Sequence, residues 1–493
     1  MALSGVEAPA SVREPRGGAA RRRLARGAAH RELSGARLLA LALLASLLAG
    51  CAVGDLLEVR RSQQILAEQS YLGGSVEAAD GSDGWLVVLV ASFPCDEDWS
   101  AIRDSVVRGE NPSQSADPEL RAAFARARGK LELVSHTLLQ RPGRWYAGLV
   151  PGCYAVGAFQ DLNRDQRYSD EPALNVLHPE QLVELAPGQR VDGMRLVVPR
   201  DGRFVLDSFD PLARQAADLA VRSHEDQTFV SLDQLAVEGK LVDLADPAFG
   251  EASGKLGFLD VYEFAWKLGP GVYFLEPYDP NKIPVLFVHG AEGYPQQFAK
   301  LIAGLDRKRF QPWFFFYPSG ARLEAVAHFL TERIAGLEAR YGFQKMAVVA
   351  HSMGGLVSRA FLLEHHGRVE NDPIHLFVSF STPWEGVASA KMGVERSPVV
   401  IDSWRDVAQD SEFIQAMFFE DKEAKQPRHL PDSIAYHMVF GVQDQTISVP
   451  SAIRWQVVRE AKNRWPLPFG HVDILSSAEA SLLLNEMLAG MDD

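Results

Sequence analysis

The stretch Met346-Ala347-Val348-Val349-Ala350-His351-Ser352-Met353-Gly354-Gly355 changes its pattern halfway along. Five apolar residues in a row read as a strand buried on both faces, and Leu356–Leu363 beyond the glycines reads as a helix. A serine between them occupies a tight strand-to-helix turn, where the backbone is strained and the side chain is exposed at the helix N-terminus. The positions two before and two after the serine must be small, and Ala350 and Gly354 are. Ser352 is therefore the candidate nucleophile. The motif departs from G-x-S-x-G only in having Ala350 for the first glycine.

A serine hydroxyl attacks only when a base takes its proton, so a histidine and an orienting carboxylate should follow. From about Leu256 onward, apolar strands alternate with helical stretches, the mark of an α/β domain with a mostly parallel sheet. Strands are expected at Ile283–His289, Trp313–Tyr317, Met346–Ala350, His375–Ser379 and Tyr436–Val442, with helices near 322–340 and 353–366. Asp444, just beyond Tyr436–Val442, is the candidate acid; Glu385, past His375–Ser379, competes with it. The candidate base is His471, between a strand-like run Ile453–Val458 and a C-terminal helix opened by a Ser476-x-x-Glu479 capping box.

The tetrahedral oxyanion needs donors. The backbone N–H of Met353, directly after the nucleophile, is one candidate. The other is the N–H of Ala291, in the loop closing Ile283–His289, where Gly290 would free the backbone to aim it. About fifty residues between Trp384 and Ala435 exceed an ordinary connection. The helical spacing of Trp404, Phe413, Ile414, Met417, Phe418 and Phe419 fits a cap at about 385–435 over an apolar acyl site, or a plain packed excursion.

The N-terminus reads differently. Residues 1–50 carry eight Arg and three Glu and end in the apolar run Leu38–Gly50, too short to span a bilayer. A basic segment followed by such a run is the form of an export signal. Leu48-Ala49-Gly50-Cys51 resembles the bacterial lipobox, which implies cleavage before Cys51 and its lipidation, with Ala52 favouring the outer membrane. Residues 51–71 read as a tether or short helix, and 201–255 as an acidic connector with a helix over Pro211–Val221.

Between them, residues 72–200 hold short β-type runs and a helical stretch at 118–128, consistent with a small antiparallel β-sandwich. Cys95 and Cys153 fall within it. On the exported side they could pair, or each could be a buried free thiol. Asp161-x-Asn163-x-Asp165-x-Arg167-Tyr168-Ser169-Asp170-Glu171 resembles a calcium loop, although Gln166 and Pro172 replace two residues that such a loop needs. A solvated Asn/Asp loop fits as well.

The 493 residues carry a net charge of −14, which argues against coating nucleic acid, and ordinary apolar and charged fractions argue against disorder or a multi-span membrane protein. Three cysteines cannot make a disulfide scaffold. The motifs KIPVLFVHG (282–290), VVAHSMGGLVSRAF (348–361), FVSFSTPWEGV (377–387), FGVQDQTISVP (440–450) and GHVDIL (470–475) resemble the α/β-hydrolase superfamily, most closely its bacterial lipase and GPI-inositol-deacylase-like branch. The resemblance covers 256–493. It implies Ser352, Asp444 and His471 as a triad, Ala291 and Met353 as oxyanion donors, no cofactor, and an ester or lipid substrate. The expected protein is an envelope-located, lipid-anchored serine hydrolase. An acyltransferase using the same triad, or a non-catalytic envelope binding protein, are the alternatives.

Overall fold

The computed structural model describes residues 60, 62, 64, 69–81, 84–96, 99–169, 171–174, 178–202, 235–421, 423 and 426–491. The signal segment, Cys51, most of the 51–71 tether and the connector helix at Pro211–Val221 lie outside the described residues. The rest belongs to one compact unit, Val53–Asp493.

Its N-terminal part is layered. Trp85–Phe93 is an inner strand of a five-stranded antiparallel sheet, paired with Glu132–Leu139 on one side and Gly152–Asp161 on the other. One face, through Leu86, Val88 and Val90, packs on Trp145, Leu72 and Leu196 of a three-stranded sheet. The other, through Val87 and Leu89, is covered by Ile102 and Phe124 of the helices Ser100–Val107 and Pro118–Arg128. Burial from both sides explains why this strand reads as a continuous apolar run rather than an alternating one. The sandwich is not wholly antiparallel: Ser70–Ala78 pairs in parallel with Arg190–Val198. That last strand is reached by a long crossover, which permits the parallel sense.

Cys95 and Cys153 form a disulfide with Cα atoms 5.2 Å apart. The bridge staples the end of Trp85–Phe93 to the start of its neighbour, where Phe93 already faces Cys153 in register. The would-be calcium loop closes on its own amides. Asp161 accepts from the N–H groups of Asp165 and Gln166, Asn163 from Asp165, Asp165 from Arg167, and Glu171 from Ser169. Among the described residues no group of three or more His, Cys, Asp or Glu side chains is placed to hold a metal.

The C-terminal part is built on an eight-stranded sheet: β1 (Val237–Leu241), β2 (Gly271–Phe274), β3 (Ile283–Val288), β4 (Phe310–Phe316), β5 (Met346–His351), β6 (Ile374–Phe380), β7 (Ala435–Gly441) and β8 (Asn463–Leu467). Their order is β8-β7-β6-β5-β3-β4-β2-β1. All neighbours from β4 to β8 run parallel; β2 is antiparallel to β4 and parallel to β1. The faces divide by residue parity. Leu286 and Val288 of β3 enter a core with the helices α1 (Leu323–Tyr341) and α2 (Met353–Arg368). Val285 and Phe287 enter another with Leu484 and Leu488 of the C-terminal helix Ala478–Ala489.

Three boundaries differ from expectation. The sheet begins at Val237, inside the span read as connector, because Val-Glu-Gly-Lys-Leu is too short and mixed to announce an edge strand. Ile453–Val458 is not a strand: Trp455–Glu460 is a helix, and the last strand is Asn463–Leu467. A short apolar run does not tell the two apart. The C-terminal helix is capped by Ser477, which accepts from Ala480 N–H, rather than by Ser476.

The two parts meet through main-chain bonds. Gln140 N–H donates to the Arg368 carbonyl, Gln140 Oε1 accepts from Glu370 N–H, and a His328 ring nitrogen bonds the Tyr146 carbonyl.

The disulfide spans 58 residues, a loop whose closure should stabilise the sandwich by about 4 kcal/mol on chain-entropy grounds. The C95S/C153S double variant should therefore unfold at clearly lower denaturant than the parent, followed by circular dichroism; unchanged unfolding would count against the bridge.

Candidate active site

β5 delivers Ser352 at the C-terminal edge of the sheet, and α2 leaves directly from it. Ser352 has φ 53° and ψ −130°, a left-handed backbone rare outside glycine. Its N–H donates to the Phe380 carbonyl at 2.8 Å, so β6 helps to hold the turn. A Cβ on Gly354 would collide with the His289 carbonyl, and one on Gly355 with the Thr382 side chain. The small residues around the serine are there because neighbouring strands and loops close on the turn.

His471 lies in the loop beyond β8. Its Nε2 is 2.9 Å from Ser352 Oγ, and its Nδ1 is 2.7 Å from Asp444 Oδ2. Asp444 follows β7, and its Oδ1 accepts from the N–H groups of Thr446 and Ile447, both at 2.8 Å. Burial pushes the Asp444 carboxyl up, but the hydrogen bond from His471 and these amides outweigh it, holding it below the usual carboxylate range. An ionised carboxylate only accepts, so Nδ1 carries the proton and Nε2 presents its lone pair to the serine hydroxyl. Ser352, His471 and Asp444 thus come together from three loops at one edge. Glu385 is elsewhere: its Oε2 pairs with Arg454 Nη1 at 3.0 Å and its N–H donates to the Ser451 carbonyl.

The Met353 and Ala291 amides lie where the sequence suggests donors, and among the described residues neither has an acceptor in the protein. Gly290 acts differently from expectation. Its φ is not left-handed; the positive φ in this loop belongs to Glu292, at 52°. What Gly290 supplies is room, since a Cβ there would sit 2.7 Å from Ser352 Cβ. The loop is fixed by Gly293 N–H to the Gly290 carbonyl and by Glu292 N–H to Ser319 Oγ.

Two histidines that sequence reading left within their motifs have definite roles. His351 is buried, and its Nε2–H donates to the His471 carbonyl at 2.9 Å, bracing the loop that carries His471. Burial, and then the nearby His471, push His351 down to about 3, so it stays neutral. His289 donates from Nδ1 to the Gly290 carbonyl, accepts from Tyr317 N–H at Nε2, and stacks on the Tyr317 ring at 4.2 Å. Burial pushes it down to about 4. The signal for His351 was its place beside the serine, but its partner is a backbone carbonyl 120 residues away, which no pattern reports.

The excursion after β6 forms three helices, Ala388–Arg396, Asp402–Val407 and Glu412–Phe418, and a small hairpin. Asp406 caps α1 through Leu323 N–H and grips the Arg322 guanidinium with both oxygens. Phe418 is fully buried against Trp384, with Arg359 and Arg454 over its ring at 4.4 and 4.3 Å. Ile414, Met417 and Phe418 belong to the core of the domain. The apolar spacing that predicted an acyl-site lining records this packing.

Residues 320–435 match the family model described as "Putative serine esterase (DUF676)". Among solved structures, the chain is similar to Bacillus licheniformis lipase BlEst2 in mature form (16% identity, 44% of this chain and 96% of that one, TM-score 0.34). It is also similar to Aspergillus fumigatus lipase B (15%, 44% and 56%, TM-score 0.35) and to a Listeria innocua protein (14%, 42% and 94%, TM-score 0.32). No curated protein matches the chain.

Histidines kept neutral by burial tie stability to pH. Their folded values lie below the unfolded one near 6.5, so their contribution is full above about pH 6.5 and is lost as pH falls toward about 4 and 3. The slope of unfolding free energy against pH between 6.5 and 4 should be shallower in H351Q than in the parent, in denaturant titrations at several pH values; an equal slope would show that His351 is not held neutral. Sheet order and strand-to-helix turn give the C-terminal part of this chain an α/β-hydrolase fold, within which residues 320–435 are similar to the serine esterase family model.

Proposed function

We propose that the protein is a membrane-anchored serine hydrolase that cleaves lipid or other acyl esters through Ser352, His471 and Asp444. The observation that carries this reading is the unbroken hydrogen-bond chain from Ser352 Oγ through His471 to Asp444. Ser352 Oγ attacks the ester carbonyl carbon while His471 Nε2 takes its proton. The carbonyl oxygen becomes an oxyanion facing the Met353 and Ala291 amides, at the positive end of α2. Collapse breaks the bond to the leaving alcohol, which takes the proton from Nε2. Water, deprotonated by the same nitrogen, then releases the carboxylic acid and restores the serine. Asp444 keeps the imidazole in the required tautomer and stabilises its charge. Attachment to the envelope would come from a lipidated Cys51.

The test is hydrolysis of p-nitrophenyl esters of graded chain length. S352A and H471A should lose on the order of 10⁴-fold in kcat/KM, with D444N close behind. E385Q should stay within about threefold, since Glu385 faces Arg454 rather than Ser352, His471 or Asp444, and an amide oxygen can still accept from that guanidinium. A folded protein whose serine ignores a fluorophosphonate probe would overturn the proposal, and loss of activity in E385Q alone would reassign the acid.

A further inference from the structure

Among the described residues, eight large apolar side chains are well exposed, and four lie between Val442 and Val472. Val442 (50% exposed) directly follows β7, two residues before Asp444; Ile453 (38%) and Trp455 (53%) come after the loop that Asp444 opens; Val472 (44%) adjoins His471. Val442 and Ile453 stand on the connection that leaves the C-terminal edge of β7, Trp455 opens the helix Trp455–Glu460 that follows it, and Val472 lies on the loop beyond β8 that carries His471. Exposed apolar groups carried on segments that leave one edge of a sheet mark a surface able to meet something apolar.

The chain N-terminal to the sandwich comes to the same edge. Ser62 Oγ accepts from Tyr262 N–H at 3.4 Å, at the start of the helix Val261–Leu268. That helix follows Gly257, whose carbonyl accepts from Gly320 N–H in the loop just past β4, and it leads into Gly271, which pairs with Phe316 at the C-terminal end of β4. In the sheet order, β4 and β2 lie on one side of β5, and β7 and β8 on the other. Residue 62 and the apolar loops therefore flank Ser352 along one edge. Cys51 precedes Ser62 by eleven residues, which reach at most about 40 Å when fully extended.

We propose that the edge formed by Val442, Ile453, Trp455 and Val472 docks on the bilayer that holds the lipid of Cys51, presenting Ser352 to esters carried in that same bilayer. This rests on the reading of the site as an esterase and of Cys51 as its anchor. Trp suits such a place, with an amphipathic ring favoured at the lipid–water boundary. A short tether holds the apolar edge at high local concentration over the surface, so a contact too weak to recruit a soluble protein is enough.

The experiment uses the full lipidated chain in vesicles of phosphatidylethanolamine and phosphatidylglycerol. A polarity-sensitive fluorophore is placed through W455C, and through L482C on the outer face of the C-terminal helix as a control. The label of W455C should shift to the blue and be quenched by nitroxide lipid, while that of L482C should not; equal behaviour of the two would overturn the docking. In parallel, I453S/W455S should lose at least tenfold on an ester carried in the vesicles yet keep p-nitrophenyl butyrate hydrolysis within twofold. Equal rates of parent and double variant on the vesicle ester would also overturn it. Absence of hydrolysis of either ester by the parent would refute the esterase reading, while the fluorescence still judges the docking. A label shift that tracks protein concentration and dimer formation in vesicles without nitroxide quenching would assign the patch to a second copy and overturn the proposal.

Discussion

The site depends on a backbone held where a serine does not settle by itself. The conformation of Ser352 costs on the order of 1–3 kcal/mol, and nothing in its own side chain repays that. The surroundings do. β3 and β6 flank β5, Phe380 accepts the Ser352 N–H, and α2 leaves along glycines that let His289 and Thr382 approach closer than any Cβ allows. The turn is rigid because it is crowded, and the hydroxyl can point at His471 only while it stays so. β3 and β6, on either side of β5, keep that one residue in place.

Protonation is set by the same burial. His289 and His351 are neutral struts, each used for one hydrogen to a carbonyl oxygen; Asp444 stays charged because three hydrogen bonds outweigh its desolvation. The imidazole of His471 is thereby held at both ends, its ring by Asp444 and its main chain by His351. A network in which each donor has one acceptor leaves little freedom for the ring to turn away.

What could be read from the sequence was what depends on local order. The change of periodicity at Ser352 located β5, the turn and α2, and the order of the motifs put Asp444 and His471 on later loops. What could not be read depends on remote partners. The sequence leaves Glu385 and Asp444 both open as the acid, because nothing local reports that Arg454 faces the Glu385 carboxylate while His471 faces Asp444. The apolar spacing at 404–419 fits a lining and a core equally well, and only the packing of Ile414 and Phe418 separates them. The helix at Trp455 and the strand at Val237 were missed because each is short, with a pattern that a competing element also satisfies.

The two ends of the large sheet have a further consequence. β8 carries Arg464 and Pro466, and β1 carries Gly239 at φ 71° followed by the exposed Lys240. Proline offers no donor, the glycine bends the strand, and the charges repel an approaching neighbour. A protein crowded among its own copies would meet them edge to edge at high frequency. With both borders of its sheet unsuited to accept another strand, such encounters end in separation rather than in growth of a continuous sheet.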